Sequence, residues 1–166
     1  MQTQQEPLIL TLQLDAQSEA FFNEQRQRYF PPERNFLNAH LTLFHQLPNT
    51  DETREYFESI TQAPFKLQVT GLMSLGGGVA YKIESAALLG LRKTLADHFI
   101  EVLIPQDRQG FRPHITVQNK VLPEQAKELL NNLQEQFQPF KAEALGLNLW
   151  AYLGGPWRHD AYYAFK

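Results

Sequence analysis

The 166-residue chain contains no cysteine. That rules out a disulfide framework, a thiolate metal site and a cysteine nucleophile. It also lacks a positive excess: 15 lysines and arginines stand against 18 aspartates and glutamates, for a formal charge of −3. Proteins that clamp long duplex nucleic acid gain affinity by neutralising many phosphates, so this balance argues against such a partner. A small or terminal phosphate needs only one or two local cations. No apolar run reaches the ~20 residues required to cross a bilayer. The stretch Met1–Pro7 has no basic segment leading into an apolar one, unlike a secretion signal. Together these absences lead us to expect a soluble, cytoplasmic protein without membrane association.

What the chain does have is a globular share of hydrophobic residues, 43%, with 12 phenylalanines. It also repeats itself. From His40 it reads HLTLFHQLP, and from His114 it reads HITVQNKVLP. Each stretch ends in a Leu-Pro pair (Leu47-Pro48, Leu122-Pro123), and the proline of a Pro-Phe-Lys triplet follows that proline at a distance of 16 positions in both copies, at Pro64-Phe65-Lys66 and Pro139-Phe140-Lys141. A Gly-Leu pair follows in each (Gly71-Leu72, Gly146-Leu147). Then come a glycine-rich turn and a strand with Ala-Tyr, at Ala80-Tyr81 and Ala161-Tyr162.

Each copy reads as a strand carrying the histidine, a helix, a long strand, a tight turn and a strand. An opening strand at Leu8–Leu14 and a helix around Ser18–Tyr29 precede the first copy. A helix around Ala86–Phe99, with Leu88, Leu91, Leu95 and Phe99 at 3- and 4-residue steps, precedes the second. The expected order is βα–βαββ–α–βαββ, an α+β fold whose antiparallel sheets line a central cleft, with helices outside. The two lobes, approximately 30–85 and 105–166, should be related by a pseudo-twofold axis and share one core within a single domain over 1–166.

Alternate side chains of a strand share a face. His40 and Thr42 therefore lie together, as do His114 and Thr116, while Leu41, Leu43, Ile115 and Val117 turn away. Facing each other across a cleft, two imidazoles supply what paired acid–base catalysis needs: one takes a proton and the other gives one. The two threonine hydroxyls can donate to phosphate oxygens as charge develops. No cofactor or metal is called for. Neither same-face set (Asn38, His40, Thr42, Phe44; Arg112, His114, Thr116, Gln118) includes a carboxylate, and His45 has the opposite parity, so a third ligand for zinc is missing.

The paired H-[LI]-T-[LV] motifs, 74 residues apart in a two-lobed repeat spanning nearly the whole chain, resemble the 2H phosphoesterase superfamily, in particular its bacterial 2′-5′ RNA ligase-like branch. The resemblance implies hydrolysis of cyclic phosphodiesters, at 2′,3′-cyclic phosphate ends of RNA or in small nucleotides. Reversible 2′-5′ joining of RNA ends is the alternative on the same residues. It makes His40 and His114 the acid–base pair and Thr42 and Thr116 the phosphate-binding hydroxyls, without saying which histidine is the base. The acidic balance favours small cyclic nucleotides over long RNA. A nucleotide-binding module that does not react, or a scaffold for other proteins, are the rival classes; the latter leaves the matched motifs unexplained. Nothing in the sequence demands more than a monomer.

Further residues are candidates for substrate contact, each with a plainer role beside it. Arg112 shares the parity of His114 and either reaches a phosphate or is solvated. Tyr81 and Tyr162, at matched places, either frame the cleft or pack. Trp157 could stack on a base and Arg158 could sit beside it, or both could belong to a surface turn. Phe44, on the His40 face, either meets a base or closes the core. Gly76-Gly77-Gly78 joins two strands and reads as a turn rather than a phosphate loop. His98 reads as structural and His159 as exposed.

Overall fold

Leu67 and Ala142 face each other in an antiparallel pair of strands whose register runs from Phe65 opposite Ala144 to Val69 opposite Phe140. Phe65 and Phe140 head the two Phe-Lys repeats, so this register is its own mirror: exchanging the copies reproduces it. A twofold relation at the centre of the sheet is thus written into the spacing of the triplets. The computed structural model describes residues 5–166, so most of the polar stretch in which no secretion signal was expected lies outside the described residues.

The elements are β1 (Leu8–Leu14), α1 (Ala16–Tyr29), a 3₁₀ turn (Pro32–Arg34), β2 (Leu41–Leu47), α2 (Asp51–Ser59), β3 (Phe65–Ser74), β4 (Val79–Glu84), α3 (Ala86–His98), α4 (Pro105–Arg108), β5 (His114–Gln118), α5 (Pro123–Gln136), β6 (Phe140–Tyr152) and β7 (Trp157–Ala164). Local chemistry starts the longer helices. Asp15, Thr50 and Ser85 accept the N–H of the third residue on, at 3.1, 3.2 and 3.1 Å. Pro123 opens α5, where its missing N–H costs nothing, and Gln125 reaches back to the Leu122 N–H. Gly76 and Gly154 take positive φ of 83° and 91° in the two hairpin turns, a conformation glycine adopts without steric cost.

The seven strands form one mixed-length antiparallel sheet in the order β2-β1-β6-β3-β4-β5, with β7 added to β6. Counted outward from the β6–β3 pair, β1 answers to β4 and β2 to β5. The halves related by the axis thus run β1–β3 and β4–β6. This cut differs from the limits 30–85 and 105–166 read from the written repeat. The reason is β7: it lies along β6 on the edge that β3 also uses, whereas β4 lies along the other edge of β3. The Ala-Tyr strands match in sequence but not in their place in the sheet.

The core fills both sides of the central strands. β1 is buried along nearly its whole length, and Phe22, Phe44 and Phe57 are enclosed. At the outer edges β2 and β5 approach each other, so the two histidine strands meet across a cleft. Each is braced by an arginine from the other half. Arg26 of α1 donates to the Thr116 carbonyl at 3.4 Å, and Arg92 of α3 donates to the Leu43 carbonyl at 2.7 Å.

Candidate active site

Both histidines are oriented in the same way. His40 Nδ1 lies 2.8 Å from the carbonyl of Asn38, and His114 Nδ1 lies 2.7 Å from the carbonyl of Arg112. A carbonyl can only accept, so Nδ1 carries the hydrogen in each ring. Nε2 is thereby left for the cleft, as a lone pair when the ring is neutral and as a donor when it is charged. The acceptor stands two residues upstream in both halves, so each loop entering the strand fixes the ring that follows it.

His40, Thr42, His114 and Thr116 line one cleft of about 550 Å³, together with His45, Arg92, Arg112, Phe111 and Trp157. That volume is within the range of small-molecule sites. Neither threonine hydroxyl nor the Arg112 guanidinium has a hydrogen-bond partner among the described residues, so each is free to meet a ligand. Burial pushes the pKa of His40 down to about 4 from its ordinary 6.5, against the opposing hydrogen bond to Asn38 and with smaller help from the charges of Arg26, His45 and His114. At neutral pH the ligand-free protein therefore holds His40 neutral. Among the described residues no three His, Cys, Asp or Glu side chains gather as a metal-binding group.

Both histidine strands carry a bulge directly after the threonine. Thr11 faces Thr42 and Leu10 faces Phe44, leaving Leu43 as the extra residue. Ala80 faces Thr116 and Val79 faces Gln118, leaving Val117 as the extra one. A bulge resets the alternation of faces. Phe44, expected on the His40 face, is instead fully buried in the core, with the Arg92 guanidinium 3.9 Å above its ring. His45, expected on the far face, lines the cleft.

Tyr81 and Tyr162 do not reach the cleft either. Tyr81 is buried, its hydroxyl donating to Gln25 at 2.8 Å and its ring edge-on to Phe21 and Phe22. Tyr162 is exposed and donates to the Leu145 carbonyl near the chain's end. Arg158 and Trp157 are neighbours in β7 and point to opposite sides. The ring of Trp157 rests on His40 at a centroid distance of 4.5 Å, whereas Arg158 turns outward, 3.8 Å from Glu6. His159 belongs to the same strand, not to a turn, and its Nε2 donates to Asn148 at 2.9 Å. His98 stacks on Tyr56 with centroids 3.5 Å apart.

The sequence reading missed the segment between α3 and β5. Asp107, in the four-residue helix α4, is 2% exposed and accepts the backbone N–H groups of His45 and Gln46 and the His45 ring, at 2.9–3.1 Å. Its own carbonyl takes Arg92 at 2.8 Å. This strut ties the β2 bulge to the rim of the cleft. No sequence signal announces it, because its partners lie about sixty positions away.

No curated protein matches the chain. Among solved structures it is similar to TT0787 of Thermus thermophilus, at 19% identity over 96% of this chain and 97% of that one, with a TM-score of 0.67. A structure described as a phosphoesterase aligns at 19% identity over 98% and 99%, with a TM-score of 0.66. Escherichia coli LigT complexed with 3′-AMP aligns at 17% identity over 98% and 99%, with a TM-score of 0.61. At these identities the likeness establishes the fold. The family model described as the 2′-5′ RNA ligase superfamily matches residues 14–156, which take in both His-x-Thr strands and the twofold sheet from the end of β1 through β6: the chain belongs to that superfamily.

Proposed function

We propose that this protein is a metal-independent phosphoesterase that hydrolyses cyclic phosphodiesters, in 2′,3′-cyclic nucleotides or at 2′,3′-cyclic phosphate ends of RNA, by acid–base catalysis between His40 and His114. The observation that carries the reading is the matched clamp on the two rings. A carbonyl two residues upstream holds each Nδ1–H, so both Nε2 atoms are left to the same cleft.

In this mechanism the phosphate sits between the two strands, held by the hydroxyls of Thr42 and Thr116 and by Arg112. His40, neutral before substrate arrives, accepts a proton from water at Nε2. The anionic phosphate beside it raises its basicity. The water oxygen bonds to phosphorus, one ring P–O bond breaks, and protonated His114 delivers its Nε2 proton to the departing ribose oxygen. Proton transfers of this kind each contribute about 10²–10⁴-fold in rate. Threonine donors stabilise the charge that builds on the non-bridging oxygens. With an RNA hydroxyl in place of water, the same forward steps would join that hydroxyl to phosphorus as the ring P–O bond breaks, the chemistry a ligase would use.

Hydrolysis of the four 2′,3′-cyclic nucleotides in the presence of EDTA tests the reading, with wild type compared against His40→Ala and His114→Ala. Turnover that survives chelation and collapses in both variants is expected. Activity retained in either variant would overturn the two-histidine mechanism. Wild type that binds a nucleotide but turns over none would move the protein to the recognition class.

A further inference from the structure

Behind Trp157 lies a second pocket, of about 440 Å³, that shares only His40 and Trp157 with the catalytic cleft. Its walls come from β1, α1, β6, β7 and the loop before β2. Both tryptophans of the chain line it, with their ring centroids 6.0 Å apart, and Phe36 stands at its rim, 69% exposed. A lone exposed phenylalanine is ordinary. This one is held out by a loop fixed on both sides: Arg26 Nε donates to Asn35 at 2.8 Å, and the Ala39 N–H donates to Asn23 at 2.7 Å.

The two pockets differ in charge. Arg92 and Arg112 line the cleft, and its one carboxylate among the described residues, Asp107, is already taken up by His45 and Gln46. No lysine or arginine lines the second pocket, among the described residues, and Glu19 contributes a carboxyl group to it. An anion therefore belongs in the cleft and an uncharged group in its neighbour. The floor of the second pocket is polar and ordered. Trp150 Nε1 donates to Thr11 at 2.9 Å, Asn148 donates to Gln13 at 2.8 Å, and Gln13 donates to the Leu14 carbonyl at 2.9 Å. Each of the two amides spends one N–H this way and keeps a second. Aromatic faces above two unspent amide donors suit a flat heterocycle with acceptor atoms on its edge.

We propose that this pocket takes the nucleobase of the nucleotide whose phosphate lies between His40 and His114, with the ribose crossing at the His40–Trp157 contact. This rests on the proposed function for the placement of the phosphate. It adds that the base is bound by Phe36 and the tryptophan pair and read by Gln13 and Asn148.

The test is binding, so it requires no turnover. Wild type and Phe36→Ala are titrated by calorimetry with adenosine 3′-monophosphate and with the same sugar phosphate bearing a methyl group in place of the base. Wild type should bind the nucleotide more tightly than the base-free phosphate. Phe36→Ala should weaken the nucleotide about tenfold, as loss of one stacking partner does, and leave the base-free phosphate unchanged. Phe36 is exposed, so its removal does not threaten the fold. Equal affinity for both ligands, or a variant that affects both alike or neither, would overturn the proposal. If no cyclic phosphate is hydrolysed yet the nucleotide binds as described, the base pocket stands and the catalytic reading falls. Hydrolysis that is indifferent to the base and to Phe36 would have the opposite meaning.

Discussion

The buried carboxylate of Asp107 holds His45 by ring and backbone at once, 2.9 Å from Nδ1 and 2.9–3.0 Å from the N–H. Burial alone would raise the pKa of Asp107. The hydrogen bonds from His45 and Gln46 outweigh it and hold the group below the ordinary carboxylate value. The strut thus joins two segments that no local interaction connects. Asp107→Ala should lose about 2–4 kcal/mol of stability, because the N–H groups of His45 and Gln46 are left without a partner. Denaturant unfolding measures this directly. A loss no larger than that of an exposed aspartate such as Asp97 would show that the strut contributes little.

Thr42 and Thr116 occupy matched positions, and their hydroxyls have no partner in the described residues. Valine keeps the β-branched shape that suits a strand while removing the donor. Thr42→Val and Thr116→Val should each reduce kcat on a 2′,3′-cyclic nucleotide by about 10²–10³-fold, the usual cost of one donor to developing negative charge. Thermal unfolding should hardly move. A fall confined to KM would mean that the hydroxyls bind substrate and transition state alike.

Much of this arrangement is legible in the sequence, for a physical reason. Strand periodicity places His40 beside Thr42 and His114 beside Thr116 without reference to the rest of the fold. The spacing of the Phe-Lys triplets fixes a self-complementary register around Leu67 and Ala142. Legibility ends where one residue changes the period. The bulge at Leu43 sends Phe44 into the core and brings His45 to the cleft, the one at Val117 buries Gln118, and nothing in the composition of either strand marks them. Tyr81 and Tyr162 fail as a pair because β7 joins a different edge from β4. That choice depends on which edge of β6 is already occupied by β1. Asp107 is invisible for the same reason: its role is set by the fold, not by its neighbours in the chain.

His40 gives the protein a dependence on acid that can be separated from that of its carboxylates. Its pKa is depressed on folding, so the unfolded chain binds the proton first as pH falls below about 6.5, and stability is lost until the folded form titrates near 4. Over that window the loss amounts to at most about 3 kcal/mol. Asp15, Asp107 and Asp160 are all held below their ordinary value, so their contribution disappears only under more acidic conditions. Thermal unfolding of wild type should fall between pH 6.5 and 4.5, and that of His40→Gln should fall much less. Parallel curves would mean that the ring is as easily protonated in the folded protein as outside it.

Two glycines separate packing from propensity. Gly90 lies within α3, and a methyl group added there meets nothing within 4 Å. Gly90→Ala should therefore stabilise the protein by about 1 kcal/mol, the difference between the two residues in a helix interior. Gly78 closes the β3–β4 turn, where an added Cβ would come 2.0 Å from the Gln118 carbonyl oxygen and 2.7 Å from the Asn119 Cα. Backbone cannot yield as a side-chain tip does, so Gly78→Ala must push the turn away from the end of β5. Because β5 carries His114 and Thr116, the displacement should reach the cleft. We expect a stability loss above about 3 kcal/mol, together with a lower kcat on cyclic nucleotides at a temperature where the variant is still folded. If stability falls while kcat holds, the two residues are fixed by the Arg26 brace and the core beneath β5, independently of the turn.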